Sequence, residues 1–252
     1  PDLCETCNYL QTLFAKWSVK ADLLLIRFAR YIRSTVGYAL VSIIDSRDRK
    51  CAQPLGFPDA SWASTDDMKS RLGEGNYIVG RFSIALVKWG TVTMKSICTA
   101  SQEAEAGALQ RTTKNIIVVA ESVKHLLCLQ SVHRNGREDN QGLLKCLRKG
   151  GISNALAHSR RAHGIKLAFL SDTWDQADAH LHFLSGVNHP GDPYTKPLDL
   201  IPIHQMMLTP LEADEIFEHE IEALCLETEE IVPIKSSVLR KEKKEIDWKE
   251  YQ

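Results

Sequence analysis

The stretch Val36-Gly-Tyr-Ala-Leu-Val-Ser-Ile-Ile44, followed by Asp45-Ser-Arg47 and then by Leu55-Gly56, decides how this chain is read. Nine residues rich in apolar and β-branched types, stopped abruptly by charge, predict a buried strand from Val36 to Ile44. Alternate side chains of a strand share a face, so Asp45 and Arg47 would meet at its end as an ion pair. Working outward, Ala21 to Arg33 has helical spacing. Leu24, Phe28 and Tyr31 form one stripe, and Arg27, Arg30 and Arg33 form a second.

Beyond that stretch, Pro54 to Asp67 is rich in Pro, Gly, Ser and Asp and predicts an exposed loop. Tyr77–Val79 and Phe82–Cys98 add strand signal, with a hairpin turn expected near Trp89-Gly90. The character changes near residue 100. Helices are expected over Thr99–Arg111, Asn115–Val132, Gln141–Lys149 and Ile152–His163, the last two stopped by glycines. Ile165–Leu170 reads as a buried strand, and Thr173–Leu184 as a helix with Thr173 as N-cap. Four prolines between Asn188 and Pro202 predict an extended connector. Thr209-Pro210 then opens an acidic helix running to about Thr228, and a charged tail covers Ser236 to Gln252. The fold class expected is α+β, strand-rich in its N-terminal part and helix-rich in its C-terminal part. A mixed body would span residues 1–208, and the acidic helix and tail residues 209–252.

Composition bounds the function. At 252 residues, 44% hydrophobic and 25% charged, the chain is ordinary for a globular protein and long enough to bury a core. The formal charge of −1 conceals segregation. His133 to Lys166 carries eight cations against Glu138 and Asp139, whereas Glu212 to Glu230 carries nine acids and no Lys or Arg. No apolar run approaches the ~20 residues of a membrane span, and no signal-peptide pattern opens the sequence. Seven cysteines without framework spacing suggest free thiols in a reducing cytoplasmic or nuclear compartment.

Two constellations carry chemistry. Asp178-Ala-His180-Leu-His182, followed by His189, Asp192 and His204, resembles the Asp-x-His-x-His metal signature of the amidohydrolase superfamily, where imidazoles hold a water-activating divalent metal such as zinc. That signature belongs at a strand end, and helical residues i and i+2 would diverge. The second is the basic set Arg134, Arg137, Arg148, Lys149, Arg160 and Arg161, which with Arg27, Arg30 and Arg33 suits phosphate contacts. Cys4-x-x-Cys7 has no partner pair nearby in sequence. The glycine fingerprints of nucleotide-binding loops and the Gly-x-Ser-x-Gly elbow are absent.

The opening stretch resembles the 30K superfamily of plant-virus movement proteins. The matching residues are Gly37, Ala39 to Ile44, Asp45-Ser-Arg47 and Leu55-Gly56, with Asn76-Tyr77 before Phe82–Val87 echoing a following strand. That likeness implies a β-sandwich-type core, cooperative binding of single-stranded nucleic acid, membrane association and an Asp45 essential to the fold. The expected function is a non-enzymatic RNA-binding or structural protein, with a viral movement- or matrix-type protein as one form of it, without a cofactor and capable of self-association. The alternatives are a metal-dependent hydrolase built on Asp178, His180, His182, His189 and His204, and a protein–protein assembly subunit.

Overall fold

The computed structural model describes residues 1–37, 40, 42, 44–154, 156–186 and 189–196. Two N-terminal helices, α1 (Cys4–Thr12) and α2 (Val19–Ser34), precede three strands: β1 (Gln53–Ser61), β2 (Arg71–Gly80) and β3 (Ser83–Thr93). The long α3 (Ser101–Leu127) follows, then β4 (Arg134–Glu138), α4 (Gln141–Leu147), α5 (Ser159–His163), α6 (Leu167–Trp174) and β5 (Ala179–Phe183). The strands form one mixed sheet in the order β3-β2-β1-β4-β5. β1, β2 and β3 are an antiparallel meander, while β4 runs parallel to β1 and β5 parallel to β4. Parallel neighbours need crossovers, and the helices supply them: α3 before β4, and α4 to α6 between β4 and β5. The chain is therefore α+β, with its meander before residue 100 and most of its helices after it. Among the described residues no helix is long and apolar enough to cross a membrane.

The helix α3 forms because Ala104, Ala108, Thr112, Ile116 and Ala120 recur every four residues, giving one small-residue stripe that is buried. Small side chains let the helix lie close on the sheet. A Cβ built on Gly56 of β1 would sit 2.6 Å from Thr112 Cγ2 and 3.2 Å from Ile116 Cδ1. Arg111 Nε donates to Glu74 Oε1 at 2.6 Å and Asn115 Nδ2 to Glu74 Oε2 at 2.6 Å, fixing α3 to a fully buried carboxylate on β2. Ala60, Leu72, Leu109, Leu143, Leu147, Ile165 and Leu170 fill the helix-covered side. Leu55, Phe57, Tyr77, Val79 and Leu86 form a second cluster.

Several expectations are corrected. The described residues of Val36–Ile44 lie in no strand. Asp45 and Arg47 do pair, at 2.7 Å, but Asp45 caps the 3-10 turn Ser46–Asp48 rather than ending a strand. The segment read as a loop, Pro54 onward, is the central strand β1. Pro54 and Pro58 are four residues apart, so their missing N–H groups fall on one edge. The parallel partner touches β1 only at Leu55 and Gly56. The hairpin turns at Arg81-Phe82, not at Gly90. There Asp48 Oδ2 accepts from the Phe82 N–H at 2.7 Å and the Ser83 hydroxyl at 2.6 Å. The two helices expected over 99–132 are one. Ile165–Leu170 falls largely in helix α6 rather than in a strand, and Thr173–Leu184 contains β5 rather than a helix. Of Ile152–His163 only Ser159–His163 is helical, ended as expected by Gly164 at φ +69°. Within the expected connector, Asp192–Tyr194 forms a short 3-10 turn. The acidic helix and the charged tail lie outside the described residues.

Gly56→Ala is expected to lower stability by about 1–3 kcal/mol through overpacking. Adding Thr112→Ser, which removes the opposing methyl, should recover part of that loss. Denaturant unfolding of the single and double variants measures both, and additive losses would contradict the α3–β1 contact.

Candidate metal centre

Asp59 sits near the carboxyl end of β1 and is 1% exposed. The parallel register pairs Leu55 with Asn135 and Gly56 with Gly136. Continued to the strand ends, it sets Asp59 beside Asp139, the residue following β4. Carboxyl ends of parallel strands are where α/β sheets place ligands, because the chain leaves the sheet there and opens a crevice. The second turn of α3 brings Glu105, 7% exposed, to the same place. One carboxylate oxygen each from Asp59, Glu105 and Asp139 lie within 4.8 Å of one another. A second group, Asp59, His189 and Asp192, meets the same limit and shares Asp59.

Residues 189–196 close the site from the strand face opposite α3. A Cβ on Gly191 would stand 2.7 Å from Asp59 Cβ and 2.9 Å from His189 Nδ1, so glycine lets this segment lie flat on β1. His189 is fully buried, edge-on to Phe57. Its Nδ1 accepts the Gly191 N–H at 3.1 Å, which leaves Nε2 as the protonated nitrogen facing the Arg137 carbonyl at 3.4 Å. The Thr195 hydroxyl donates to Asp59 Oδ2. Lys196 Nζ lies 2.5 Å from Asp192 Oδ1 and 3.7 Å from Asp59 Oδ1. The second group thus already contains a cation. The first shares that cation only through Asp59, and Glu105 Oε2 is buried without a hydrogen-bond partner.

The sequence-predicted metal residues divide. His180 and His182 lie on β5, where alternate residues do share a face, and His180 Nε2 stands 3.0 Å from His133 Nδ1 with the rings stacked. Asp178 is committed to Arg134 at 2.5 Å. Only His189 joins a carboxylate group, and His204 lies outside the described residues. Among the basic residues, Arg27, Arg30 and Arg33 are exposed on α2, Arg148 and Lys149 follow α4, and Arg160 and Arg161 are exposed on α5. Arg137 is 3% exposed inside β4. The carboxylates Asp59, Glu105 and Asp139 carry no local motif. Their only sequence signal is an acid at the end of each of two strands, and β1 was hidden by its prolines.

Neither a protein-family model nor a curated protein matches this chain. Among solved structures it is similar to the NurA nuclease from Sulfolobus solfataricus, with a TM-score of 0.34 and 10% identity over 75% of this chain and 64% of that one. The chain therefore spans less than two thirds of that nuclease. The comparison does not bear out the expectation of a non-enzymatic nucleic-acid-binding or structural protein: the similar structure is that of a nuclease. At that TM-score the likeness decides nothing about mechanism, which rests on the side chains.

Their electrostatics are unusual. Burial, then the neighbouring charges of Glu138, Asp59 and Asp139, push the Glu105 carboxyl up to about 10. Glu138, fully buried beside it, is also raised, by burial first and Asp139 second, although Asn140 N–H donates to its Oε1 at 3.1 Å. Burial opposes the Lys196 charge, but the hydrogen bond to Asp192 and the Asp59 charge outweigh it and raise the ammonium pKa.

A carboxyl group raised on folding binds a proton in the native chain that the unfolded chain has released, so its contribution falls as pH rises above the unfolded value. Metal-free protein is therefore expected to lose thermal stability between about pH 5 and pH 8. Glu105→Gln should flatten that slope. A metal-free melting profile that rises across this range, or a slope unchanged in Glu105→Gln, would contradict the described placement of Glu105.

Proposed function

We propose that this protein is a divalent-metal-dependent hydrolase of phosphodiesters in nucleic acid. The observation that carries the reading is the triad of buried Asp59 and Glu105 with half-buried Asp139, with donors within 4.8 Å and one carboxylate oxygen unpartnered. An all-oxygen anionic donor set fits Mg²⁺ or Mn²⁺, ions held by a few carboxylates together with substrate phosphates. Asp59, Glu105 and Asp139 would hold the ion. When bound there, it supplies a Lewis acid and lowers the pKa of water.

The remaining roles belong to the chain. Asp59 is oriented by the Thr195 hydroxyl on Oδ2 and by Lys196 Nζ, 3.7 Å from Oδ1. Lys196, pinned by Asp192, places a fixed positive charge beside Asp59 Oδ1, where it can stabilise charge developing on a phosphoryl oxygen. His189 in its neutral tautomer packs against Phe57 and holds the 189–196 segment through Gly191. It positions rather than ligates, since its Nδ1 lone pair is taken. Single-stranded nucleic acid suits the open carboxyl ends of the strands better than a rigid duplex, and the exposed cations of α2, α4 and α5 give the backbone sequence-independent contacts.

Labelled single- and double-stranded DNA and RNA, incubated with Mn²⁺ or Mg²⁺, test the proposal. Cleavage is expected, single strands preferred, and chelation should abolish it. Asp59→Asn and Asp139→Asn should each reduce the rate at least about a hundredfold while retaining the circular dichroism of the parent. Metal-independent cleavage, folded variants of unchanged rate, or no cleavage of any of the four substrates would overturn it.

A further inference from the structure

A second, chemically different group lies on the other side of α3. Residues two apart on a helix point about 200° away from each other, so Glu103 faces away from the site that holds Glu105. Glu103 is fully buried. Its Oε2 accepts the Thr99 N–H at 2.8 Å, which leaves Oε1 as the point on which other groups converge. The Ser159 hydroxyl lies 2.9 Å from Oε1, His158 Nε2 2.9 Å and His163 Nε2 3.2 Å. Cys98 Sγ, a Glu103 oxygen and a His163 nitrogen all fall within 4.8 Å of one another.

The hydrogen-bond logic around His163 is incomplete as it stands. Its side chain is 1% exposed, and Nε2 is buried with no hydrogen-bond partner. Ser96 Oγ, 2.8 Å from His163 Nδ1, also reaches the Ala162 carbonyl at 3.1 Å. A hydroxyl has one proton. With that proton on Ala162, Nδ1 must donate, and in the neutral ring Nε2 presents a lone pair toward a carboxylate oxygen. Two acceptors facing each other in a buried site call for a cation between them.

We infer that Cys98, Glu103, His158 and His163 form a zinc site. One thiolate, one carboxylate and two imidazoles are a borderline-soft, four-donor set of the kind zinc takes in tetrahedral geometry. Zinc bonds of about 2.0–2.3 Å put tetrahedral ligands roughly 3.3–3.8 Å apart, so Cys98, Glu103 and His163, already inside 4.8 Å, need only small adjustments. His158 joins them through its 2.9 Å contact with Glu103. Four residues separate His158 from His163, the spacing that lets two histidines of one short segment reach one ion. Ser96, Thr99 and Ser159 supply the hydrogen bonds that orient such ligands. His158 is 45% exposed and gives the ion an access path. The ion would tie α5 to the start of α3, and so brace the turn that presents Glu105. Cys98, Glu103 and the His163 side chain are buried, which suits a structural role.

The full-length protein, purified without chelator, should contain one equivalent of zinc by elemental analysis. Replacing it with cobalt(II) should give tetrahedral d–d bands and a thiolate-to-cobalt charge-transfer band. Asp59→Asn must leave both unchanged, which separates this site from the carboxylate triad, and Cys4→Ser/Cys7→Ser must also leave the band in place. Cys98→Ser should abolish the charge-transfer band. His163→Ala should weaken zinc binding by more than the roughly 10–100-fold that loss of an outer-shell partner costs. If Cys98→Ser fails to fold, the parent spectrum still decides. Absence of zinc together with no thiolate band in the cobalt-treated parent overturns the inference and leaves Glu103 as a buried partner of protonated histidine. A band that survives in folded Cys98→Ser overturns it equally.

Discussion

Like charges held together in a dry place dominate this molecule. Two unit charges 4.8 Å apart at an effective dielectric constant of 20 repel by about 3 kcal/mol, and the Asp59, Glu105, Asp139 triad contains three such pairs. The total is of the order of a whole domain's stability, about 5–15 kcal/mol. The chain cannot keep all three ionised unaided. It has two ways out, a proton or a cation. The metal-free protein takes the first, holding Glu105 protonated to about pH 10. A divalent ion would take over from the proton, and the two states would differ in charge but hardly in packing.

The architecture exists to make that crowding possible. Asp59 and Asp139 meet because β1 and β4 are parallel and adjacent, and Glu105 joins them because α3 is packed close on β1. Lys196 bounds the cluster on one side by neutralising Asp192. On the other face of α3, Glu103 accepts from Thr99 and Ser159 and has two histidines close to its Oε1, so neighbouring acids on one helix turn meet different surroundings. The contrast marks Glu105 as the one acid of the pair left without an internal partner.

Part of this was legible in the sequence. The α+β class, β3 and the end of β2, α2 with its arginine stripe and the α4 stop at Gly150-Gly151 follow from periodicity and punctuation. The order of strands did not, because β1 reads Gln-Pro-Leu-Gly-Phe-Pro-Asp-Ala-Ser and looks like a turn. Two prolines on one edge are tolerable where the parallel neighbour pairs briefly, a tertiary fact no local rule contains. Val36–Ile44 has far stronger strand composition, yet its described residues pair with nothing. Misplacing the central strand hid Asp59, and with it the site. His189 was legible as a candidate ligand, but for the wrong cluster. The Asp178, His180 and His182 motif drew attention because its spacing is local, whereas Asp59, Glu105 and Asp139 are joined only by the fold.

The most direct test of the central claim is the position of a bound ion. In crystals of the full-length protein soaked with Mn²⁺, anomalous scattering should place a manganese peak between the carboxylates of Asp59, Glu105 and Asp139, and the peak should vanish in Asp59→Asn. Soaked crystals with an intact, empty triad, or with manganese only at other carboxylates, would contradict the account.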